Sequence, residues 1–242
     1  MSVPVNQNAA DPVDVRWRRW LQRLAPPHCL ICRERAGNGI ELCDACAQSL
    51  PWSGNACRRC ALPLAGEDTT CGACLRRQPP LDDVRAAFIY GFPLDRLLPR
   101  FKFHRDLAAG ALLADCLARS VAPLPRPDAL VPVPLHRARL RQRGYDQALE
   151  LARPLARRLA IPLHDALLQR ARDTTPQSRL DAKARRRNVR SAFAVPANAA
   201  LPAHVVLLDD VMTTGATLHA AALALRRAGV ARVDAWVCAR VP

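Results

Sequence analysis

The chain has 242 residues, half of them hydrophobic, which is enough for one ordinary domain with a sizeable core and a smaller second module. No apolar run approaches the roughly 20 residues that a membrane-spanning helix needs, and the N-terminus lacks the charged start and apolar stretch of a secretory signal, so we expect a cytoplasmic protein. The net charge of +15 favours partners that carry phosphate. The charge comes from 34 arginines and only two lysines, a skew that the base composition of the gene could produce without selection for binding. Aromatic residues make up 5% of the chain, too few for an obvious base-stacking surface, so sequence-specific DNA reading is not supported.

The first 25 residues are predicted to combine a disordered N-terminus with a short amphipathic helix. Residues 1–14 are polar and irregular, whereas residues 15–24 place Trp17, Trp20 and Leu24 on one helical face and arginines on the other. Two consecutive prolines end this pattern. We expect the helix to pack against the next module rather than on a membrane surface, because an interfacial helix usually needs more apolar area.

Residues 26–78 contain an internal repeat of four Cys-x-x-Cys pairs, each separated from the next by ten residues. Two thiolate pairs from two tight turns make the tetrahedral four-sulfur shell that structural zinc prefers. The segment has few large aliphatic side chains, so metal rather than a core is expected to hold it. We predict a double zinc ribbon with two structural zinc ions, whose ligands are Cys29, Cys32, Cys43, Cys46, Cys57, Cys60, Cys71 and Cys74.

Other uses of these cysteines fit the sequence less well. Disulfides are rare in a chain without an export signal, a redox Cys-x-x-Cys normally occurs once, and iron–sulfur clusters use other spacings. The pairing of the four knuckles stays open, since sequential pairing gives two stacked ribbons and interleaved pairing gives a cross-brace. We prefer sequential pairing because each loop is then local.

From residue 79 to residue 242, the composition changes to that of an α/β domain, in which apolar strands alternate with amphipathic helices. The predicted strands are 85–90, 129–133, 205–208 and 233–239. The predicted helices are 94–103, 107–121, 147–159 and one that opens near Thr217 and ends at Gly229. Continuous apolar strands of this kind are typical of a parallel sheet with helices on both faces.

A basic loop follows the second of these strands, where two prolines stop the ladder. Residues 136–147 carry arginines at alternate positions, and Asp146 is predicted to cap the helix that follows. Guanidinium groups bind phosphate oxygens through paired hydrogen bonds. The loop is therefore a candidate anion site, with a solvated basic loop as the alternative. Its candidate residues are Leu135, His136, Arg137, Arg139 and Arg143.

Two further features carry open alternatives. Lys102 stands between Phe101 and Phe103, and this position is equally consistent with a solvated charge and with a role in a site. Residues 170–193 are polar, charged and interrupted by a proline, so they are predicted either to close over a ligand or to form a solvated connection. The candidates for a ligand contact in this flexible loop are Lys183, Arg185 and Asn188.

The most informative stretch is 205–217, which reads VVLLDDVMTTGAT. Four apolar residues predict a buried strand, two acids follow, and a Thr- and Gly-rich turn opens a helix. Backbone N–H groups at a helix start bind phosphate without a lysine, and a glycine lets the backbone approach an anion closely. Carboxylates beside such a turn can accept hydrogen bonds from sugar hydroxyls. The layout favours a sugar phosphate at the carboxyl end of a strand.

This motif resembles the phosphoribosyl-diphosphate (PRPP) signature of type I phosphoribosyltransferases. The resemblance implies that Asp209 and Asp210 hold the ribose hydroxyls, that residues 213–217 hold the 5′-phosphate, and that the basic loop holds the pyrophosphate together with Mg²⁺. It also implies that family's fold, a parallel sheet flanked by helices, here preceded by the zinc ribbons. The implied PRPP-binding residues are Asp209, Asp210, Val211, Met212, Thr213, Thr214, Gly215, Ala216 and Thr217.

The combination of modules resembles the ComF family of predicted phosphoribosyltransferases, over nearly the whole chain from about Leu21. The residues that carry this resemblance are the cysteine repeat, PVPLHRARLRQRGYDQ, TPQSRLDAKARRRNVRSAF and VVLLDDVMTTGAT. The family is linked to DNA uptake in natural transformation, beside a helicase. It commonly has Asn where this chain has Asp146, and many members keep fewer zinc cysteines.

Two functions follow as expectations. The first is a magnesium-dependent phosphoribosyltransferase whose acceptor and general base are unknown. The second is a non-catalytic DNA-processing accessory protein, in which PRPP is a regulatory ligand and the zinc ribbons bind single-stranded DNA or a helicase. The residues do not decide between transfer, hydrolysis and sensing, and they leave the oligomeric state open.

Overall fold

The computed structural model describes residues 27–36, 40–135, 137–170 and 192–242. The chain divides into two compact units at the bond between Leu50 and Pro51. The predicted amphipathic helix at 15–24 and most of the predicted flexible loop at 170–193 lie outside the described residues.

The smaller unit ends at Leu50, and the structure describes its residues 27–36 and 40–50. His28 and Arg35 form an isolated antiparallel bridge around the first knuckle, and a short helix, α1, spans Asp44–Ser49. Among these described residues, the buried apolar ones are Cys29, Ala36, Leu42 and Leu50.

The larger unit is built on a four-stranded parallel sheet with the order β1-β6-β5-β2. The strands of this sheet are β1 (Val84–Ile89), β2 (Ala129–Pro132), β5 (His204–Met212) and β6 (Arg232–Arg240). A separate two-stranded antiparallel sheet joins β3 (Gln169–Arg170) to β4 (Phe193–Ala194). All four predicted strands are therefore present, and the two central ones are longer than the apolar runs predicted.

Helices pack on this sheet in the way that its apolar strands predict. In the part of the larger unit that the structure describes, the helices are α2 (Gly72–Arg76), α3 (Leu94–His104), α4 (Leu107–Val121), α5 (Arg137–Arg143), α6 (Gln147–Leu159) and α7 (Ala216–Ala228). Helices α4 and α6 contact each other and the strands, while α7 contacts β4, β5 and β6. Val205 to Leu208 are all fully buried, as expected for a strand covered on both faces.

One hydrophobic cluster of the larger unit includes residues of the second cysteine quartet. Cys57, Cys60 and Cys74 are buried in the same cluster as Leu207 of β5 and Leu218 of α7. The compact units therefore divide inside the predicted 26–78 module, whose boundaries, like those of 1–25 and 79–242, stay a prediction. The physical reason is that the second half of the cysteine repeat shares the core of the α/β unit.

The structure corrects two local predictions. Residues 137–143, predicted as a loop of alternating arginines, form helix α5, so that arginines four apart share a face. Asp209 and Asp210, predicted to follow the strand, lie inside β5 instead. The strand continues because β6 pairs with it as far as Met212↔Arg240.

Candidate functional site

A cavity opens at the carboxyl edge of the sheet because β2 stops pairing before its neighbour β5 does. The last paired residue of β2 is Pro132, opposite Leu208, after which Val133 donates one more backbone hydrogen bond to Leu208. Beyond that point β5 pairs only with β6. The cavity has a volume of about 690 Å³. Tyr90, Val133 and Val241 line it just beyond the ends of β1, β2 and β6, and Asp209 lines it from within β5.

The acidic pair forms one wall of this cavity. Asp210 is 5% exposed, and its Oδ2 lies 2.7 Å from the Nζ of Lys102 on α3. The pKa of Asp209 is raised to about 8, first because the carboxyl is desolvated and second because Asp210 lies beside it. Backbone N–H groups of the next residues donate to both carboxylates, at 2.8 Å in each case. Lys102 therefore lines the cavity and pairs with an acid, and its role in a site stays a prediction.

The Thr- and Gly-rich turn forms the second wall. Thr213 and Thr217 line the cavity, together with Val211. Gly215 is the N-cap of α7 and has a φ of +74°, a left-handed conformation that disfavours any L side chain. A Cβ there would lie 2.5 Å from the Cε of Met212. The first backbone N–H groups of α7 therefore point toward the turn, and N–H groups at a helix start can bind an anion.

The basic segment forms the third wall. Leu135 lies in the lining, as do Arg139 and Arg143, one turn apart on α5. The Asp146 carboxylate holds this wall in place, because Oδ1 accepts from the N–H of Leu149 at 3.2 Å and Oδ2 accepts from the N–H of Leu135 at 2.9 Å. The predicted cap is therefore present, and it also fixes the chain that enters α5.

The structure brings together residues of the 205–217 motif and of the basic loop but leaves some of the predicted set outside the lining. Met212 is buried, and among the described residues Thr214, Gly215 and Ala216 shape the turn without lining the cavity. His136, Lys183, Arg185, Asn188 and the side chain of Arg137 lie outside the described residues.

Sequence reasoning missed several lining residues, which are Tyr90, Leu98, Pro99, Phe103, Gln147, Arg170 and Val241. Two of them had a usable signal, since Tyr90 and Val241 each follow a strand and ligands bind beyond strand ends. Gln147 could have been found by a weaker signal, since it is a polar residue at a position predicted to be buried in a helix. In the structure its Oε1 accepts a hydrogen bond from Arg143 at 3.1 Å. Phe103 and Arg170 reach the cavity only through the tertiary arrangement.

Two cysteine quartets form candidate metal centres, and they pair sequentially. Cys29, Cys32, Cys43 and Cys46 form one group, Cys57, Cys60, Cys71 and Cys74 form the other, and the sulfurs of each group lie within 4.8 Å of one another. A tetrahedral zinc site with Zn–S bonds of about 2.3 Å has sulfurs about 3.8 Å apart. The sulfurs of Cys32 and Cys43 are 3.6 Å apart, and those of Cys60 and Cys71 are 3.7 Å apart. The donor set and spacing fit two zinc ions, and the sequential pairing that we preferred is confirmed.

Comparison with known proteins matches both modules. A double zinc ribbon domain model matches residues 20–75, and a phosphoribosyl transferase domain model matches residues 146–242. No helix in the described ranges combines the length and apolar character needed to cross a membrane.

Relatives align along most of the chain. Competence protein F of Haemophilus influenzae is 37% identical over 226 residues, which cover 88% of this chain and 96% of that protein. The DNA utilization protein YhgH of Salmonella typhi is 35% identical over 225 residues, covering 89% and 97%. Competence protein ComFC of Bacillus subtilis is 30% identical over 224 residues, covering 84% and 90%. The chain therefore belongs to the ComF family, with a double zinc ribbon ahead of a phosphoribosyltransferase-type domain.

Proposed function

We propose that the cavity binds PRPP with Mg²⁺ and that the protein is a phosphoribosyltransferase acting in DNA uptake or utilization. The observation that carries this proposal is the convergence, in one cavity, of an acidic pair, a helix start and two arginines. These groups match the three parts of PRPP, its ribose hydroxyls, its 5′-phosphate and its pyrophosphate. The part in DNA uptake is taken from the names of the relatives, Competence protein F and DNA utilization protein.

Each wall has a distinct task in this proposal. Asp209 and Asp210 accept hydrogen bonds from the ribose hydroxyls and favour positive charge at the anomeric carbon. The N–H groups and hydroxyls of residues 213–217 hold the 5′-phosphate. Arg139 and Arg143 hold the pyrophosphate that departs. Mg²⁺ bound with the pyrophosphate would neutralise charge on the leaving group, and carboxylate oxygens beside it suit this hard cation.

Lys102 adds a condition to ligand binding. Its ammonium group pairs with Asp210 at 2.7 Å, so one acid of the ribose site already has a cationic partner. Binding of the sugar must therefore share or replace that ion pair. The pair also gives the buried Asp210 side chain a cationic partner, and an isolated carboxylate would be costly in such a site.

Isothermal titration with PRPP in excess Mg²⁺ tests the proposal. We expect one binding site, and we expect Asp209→Asn/Asp210→Asn to weaken binding at least tenfold. Asp115→Asn is the matched control, because this acid pairs with Arg158 away from the cavity. Absence of heat with PRPP, or equal heat in the double variant, contradicts the proposal.

Turnover needs its own measurement, because no described residue identifies a general base for an unknown acceptor. A screen for pyrophosphate release from PRPP across nucleobases, amines and single-stranded DNA would name the acceptor class. If PRPP binds with no release in any mixture, sensing is favoured over transfer.

A second function follows from the assignment of the first cysteine quartet to a different compact unit from the one that bears the cavity. Cys29–Cys46 belong to the small unit that ends at Leu50, and in this alternative that ribbon binds a partner such as single-stranded DNA or a helicase while PRPP regulates. The full-length Cys29→Ser/Cys32→Ser variant should then lose salt-dependent DNA binding and keep its PRPP affinity. Unchanged DNA binding in that variant removes the role of the first ribbon.

A further inference from the structure

A buried arginine connects the second cysteine quartet to the phosphate turn. Arg240, the last residue of β6, is 6% exposed. Its Nε donates to the carbonyl oxygen of Cys60 at 2.7 Å, and its Nη1 donates to the carbonyl oxygen of Met212 at 3.2 Å. One guanidinium thus bonds a zinc-ligand knuckle on one side and, on the other, the residue that precedes the Thr213–Gly215 turn.

The charge of Arg240 suits this position. Four thiolates around one Zn²⁺ leave a net charge of about −2, and a buried negative centre is stabilised by a nearby cation. Burial lowers the pKa of Arg240, while the sulfurs of Cys60, Cys71 and Cys74 act in the opposite direction. Arginine stays protonated at any pH at which proteins fold, so the guanidinium provides a constant positive charge beside this quartet.

Met212 contacts both Arg240 and the Thr213–Gly215 turn. Its carbonyl also accepts the N–H of Val241 at 3.0 Å, and its side chain lies in the same hydrophobic cluster as Cys57 and Cys60. The Cε of Met212 fills the space where a Cβ of Gly215 would lie. Backbone and side chain of one residue therefore link the quartet to the N-cap of α7.

We propose that Arg240 is a positioning residue that couples zinc binding at Cys57–Cys74 to anion binding at residues 213–217. The proposal rests on the proposed function for the identity of the anion, PRPP. Because coupling between two sites is reciprocal, zinc at this quartet strengthens PRPP binding, and PRPP strengthens zinc binding by the same factor. The first quartet, in the other compact unit, has no part in this coupling.

Equilibrium zinc affinity measured with and without PRPP tests the coupling. The Cys29→Ser/Cys32→Ser variant of the full chain removes the first site, and competition with a chromophoric chelator then reports the second. Saturating PRPP in excess Mg²⁺ should tighten zinc binding at least fivefold, at the low end of typical couplings of roughly 5- to 150-fold. Any chelation of zinc by PRPP would act in the opposite direction.

Variants at the two ends of β6 test whether the coupling between zinc and PRPP binding depends on Arg240. In that background Arg240→Met should weaken zinc and PRPP binding and reduce the coupling to less than twofold, while Arg240→Lys should restore it in part. Arg232→Met is the matched control, because this arginine opens the same strand and pairs with Asp234 instead. It should leave both affinities and the coupling unchanged.

The outcomes separate the coupling from the proposed function. If PRPP binds and leaves zinc affinity unchanged, the coupling is overturned and PRPP binding stands. Equal losses in Arg240→Met and Arg232→Met also overturn the role of Arg240. If PRPP gives no heat, the proposed function falls and the coupling falls with it. The Cys29→Ser/Cys32→Ser protein with Arg240 intact, compared with and without PRPP, decides the coupling even if Arg240→Met does not fold.

Discussion

At the residue scale, the acidic pair places two adjacent carboxyl groups, Asp209 and Asp210, within a largely buried strand. Two adjacent carboxyls cannot both be ionised cheaply in a desolvated site. Lys102 pairs with Asp210, while the pKa of Asp209 rises to about 8. Near neutral pH Asp209 therefore holds a proton for most of the time, and an incoming polyphosphate meets less negative charge than two carboxylates would present.

This raised pKa predicts how stability depends on pH. The folded state holds a proton on Asp209 that the unfolded state has lost above about pH 4, so the free energy of unfolding falls as pH rises towards 8 and then levels off. The slope from one such group is at most about 1.4 kcal/mol per pH unit. Urea midpoints at pH 5.5 and pH 8.5 measure it, and Asp209→Asn should flatten the difference. An unaltered difference in the variant would place the effect elsewhere.

Gly215 provides a second prediction at this scale. Gly215→Ala puts a Cβ 2.5 Å from the Cε of Met212 at a φ of +74°, and the left-handed conformation alone costs roughly 1–2 kcal/mol. We expect lower thermal stability together with weaker PRPP binding, measured by melting and calorimetry. Gly54→Ala is the control, because a Cβ there meets nothing within 4 Å. Similar losses in the two variants would argue against a special role for the turn.

At the element scale, one cap positions two elements of the site. Asp146 begins α6 and also binds the N–H of Leu135, so the carboxylate connects a helix start to the chain that enters α5. Asp106 caps α4 in the same way through the N–H of Ala109 at 3.0 Å, but it does not line the cavity. A comparison of variants at Asp146 and Asp106 can therefore distinguish an effect on helix stability from an effect on the geometry of the cavity.

Alanine at each cap tests this separation. Asp146→Ala and Asp106→Ala should each lower the free energy of unfolding by about 1 kcal/mol, and only Asp146→Ala should also weaken PRPP binding. Asp146→Asn should keep most of the cap, since an asparagine side-chain oxygen also accepts from the backbone. Chemical denaturation and calorimetry on the same preparations measure both quantities. Equal PRPP affinity in the two alanine variants would show that the Leu135 contact is dispensable.

At the scale of the whole molecule, the two cysteine quartets belong to different compact units. The first lies in the unit that ends at Leu50, whereas the second shares a hydrophobic cluster with the α/β core. We therefore expect zinc at the first quartet to stabilise the small unit, and we expect loss of zinc at the second quartet to disturb the α/β core.

A pair of ligand variants distinguishes these roles. Cys43→Ser and Cys71→Ser should each reduce bound zinc from two ions to one, as counted by elemental analysis. Cys43→Ser should leave the main thermal transition in place, while Cys71→Ser should lower it, by roughly 2–4 °C for each kcal/mol lost. If Cys71→Ser melts like the wild type, the second quartet does not support the α/β unit.

Local pattern was enough to predict most elements and the chemistry of the segments. Helices α4 and α6 begin and end where their 3.6-residue periodicity predicted, because each buries one apolar stripe. The cysteine repeat predicted its own ligands, since four thiols at short range satisfy one metal without distant contacts. The 205–217 motif predicted an anion-binding turn because its strand, turn and helix start follow one another directly in the chain.

The sequence by itself therefore determined most features that depend on neighbours in the chain, namely helices α3, α4, α6 and α7, the four strands of the parallel sheet, the grouping of the cysteines and the family. Helix α5, predicted as a loop, is an exception. Only the tertiary structure decided how far β5 runs, since pairing with β6 extends it past the acids. It also decided that Lys102 pairs with Asp210 and that Arg240 connects Cys60 to Met212. The contacts of Lys102 with Asp210 and of Arg240 with Cys60 join residues more than a hundred positions apart, and the contact of Arg240 with Met212 joins two different strands. Periodicity carries no information about such contacts, because they arise only when the sheet assembles.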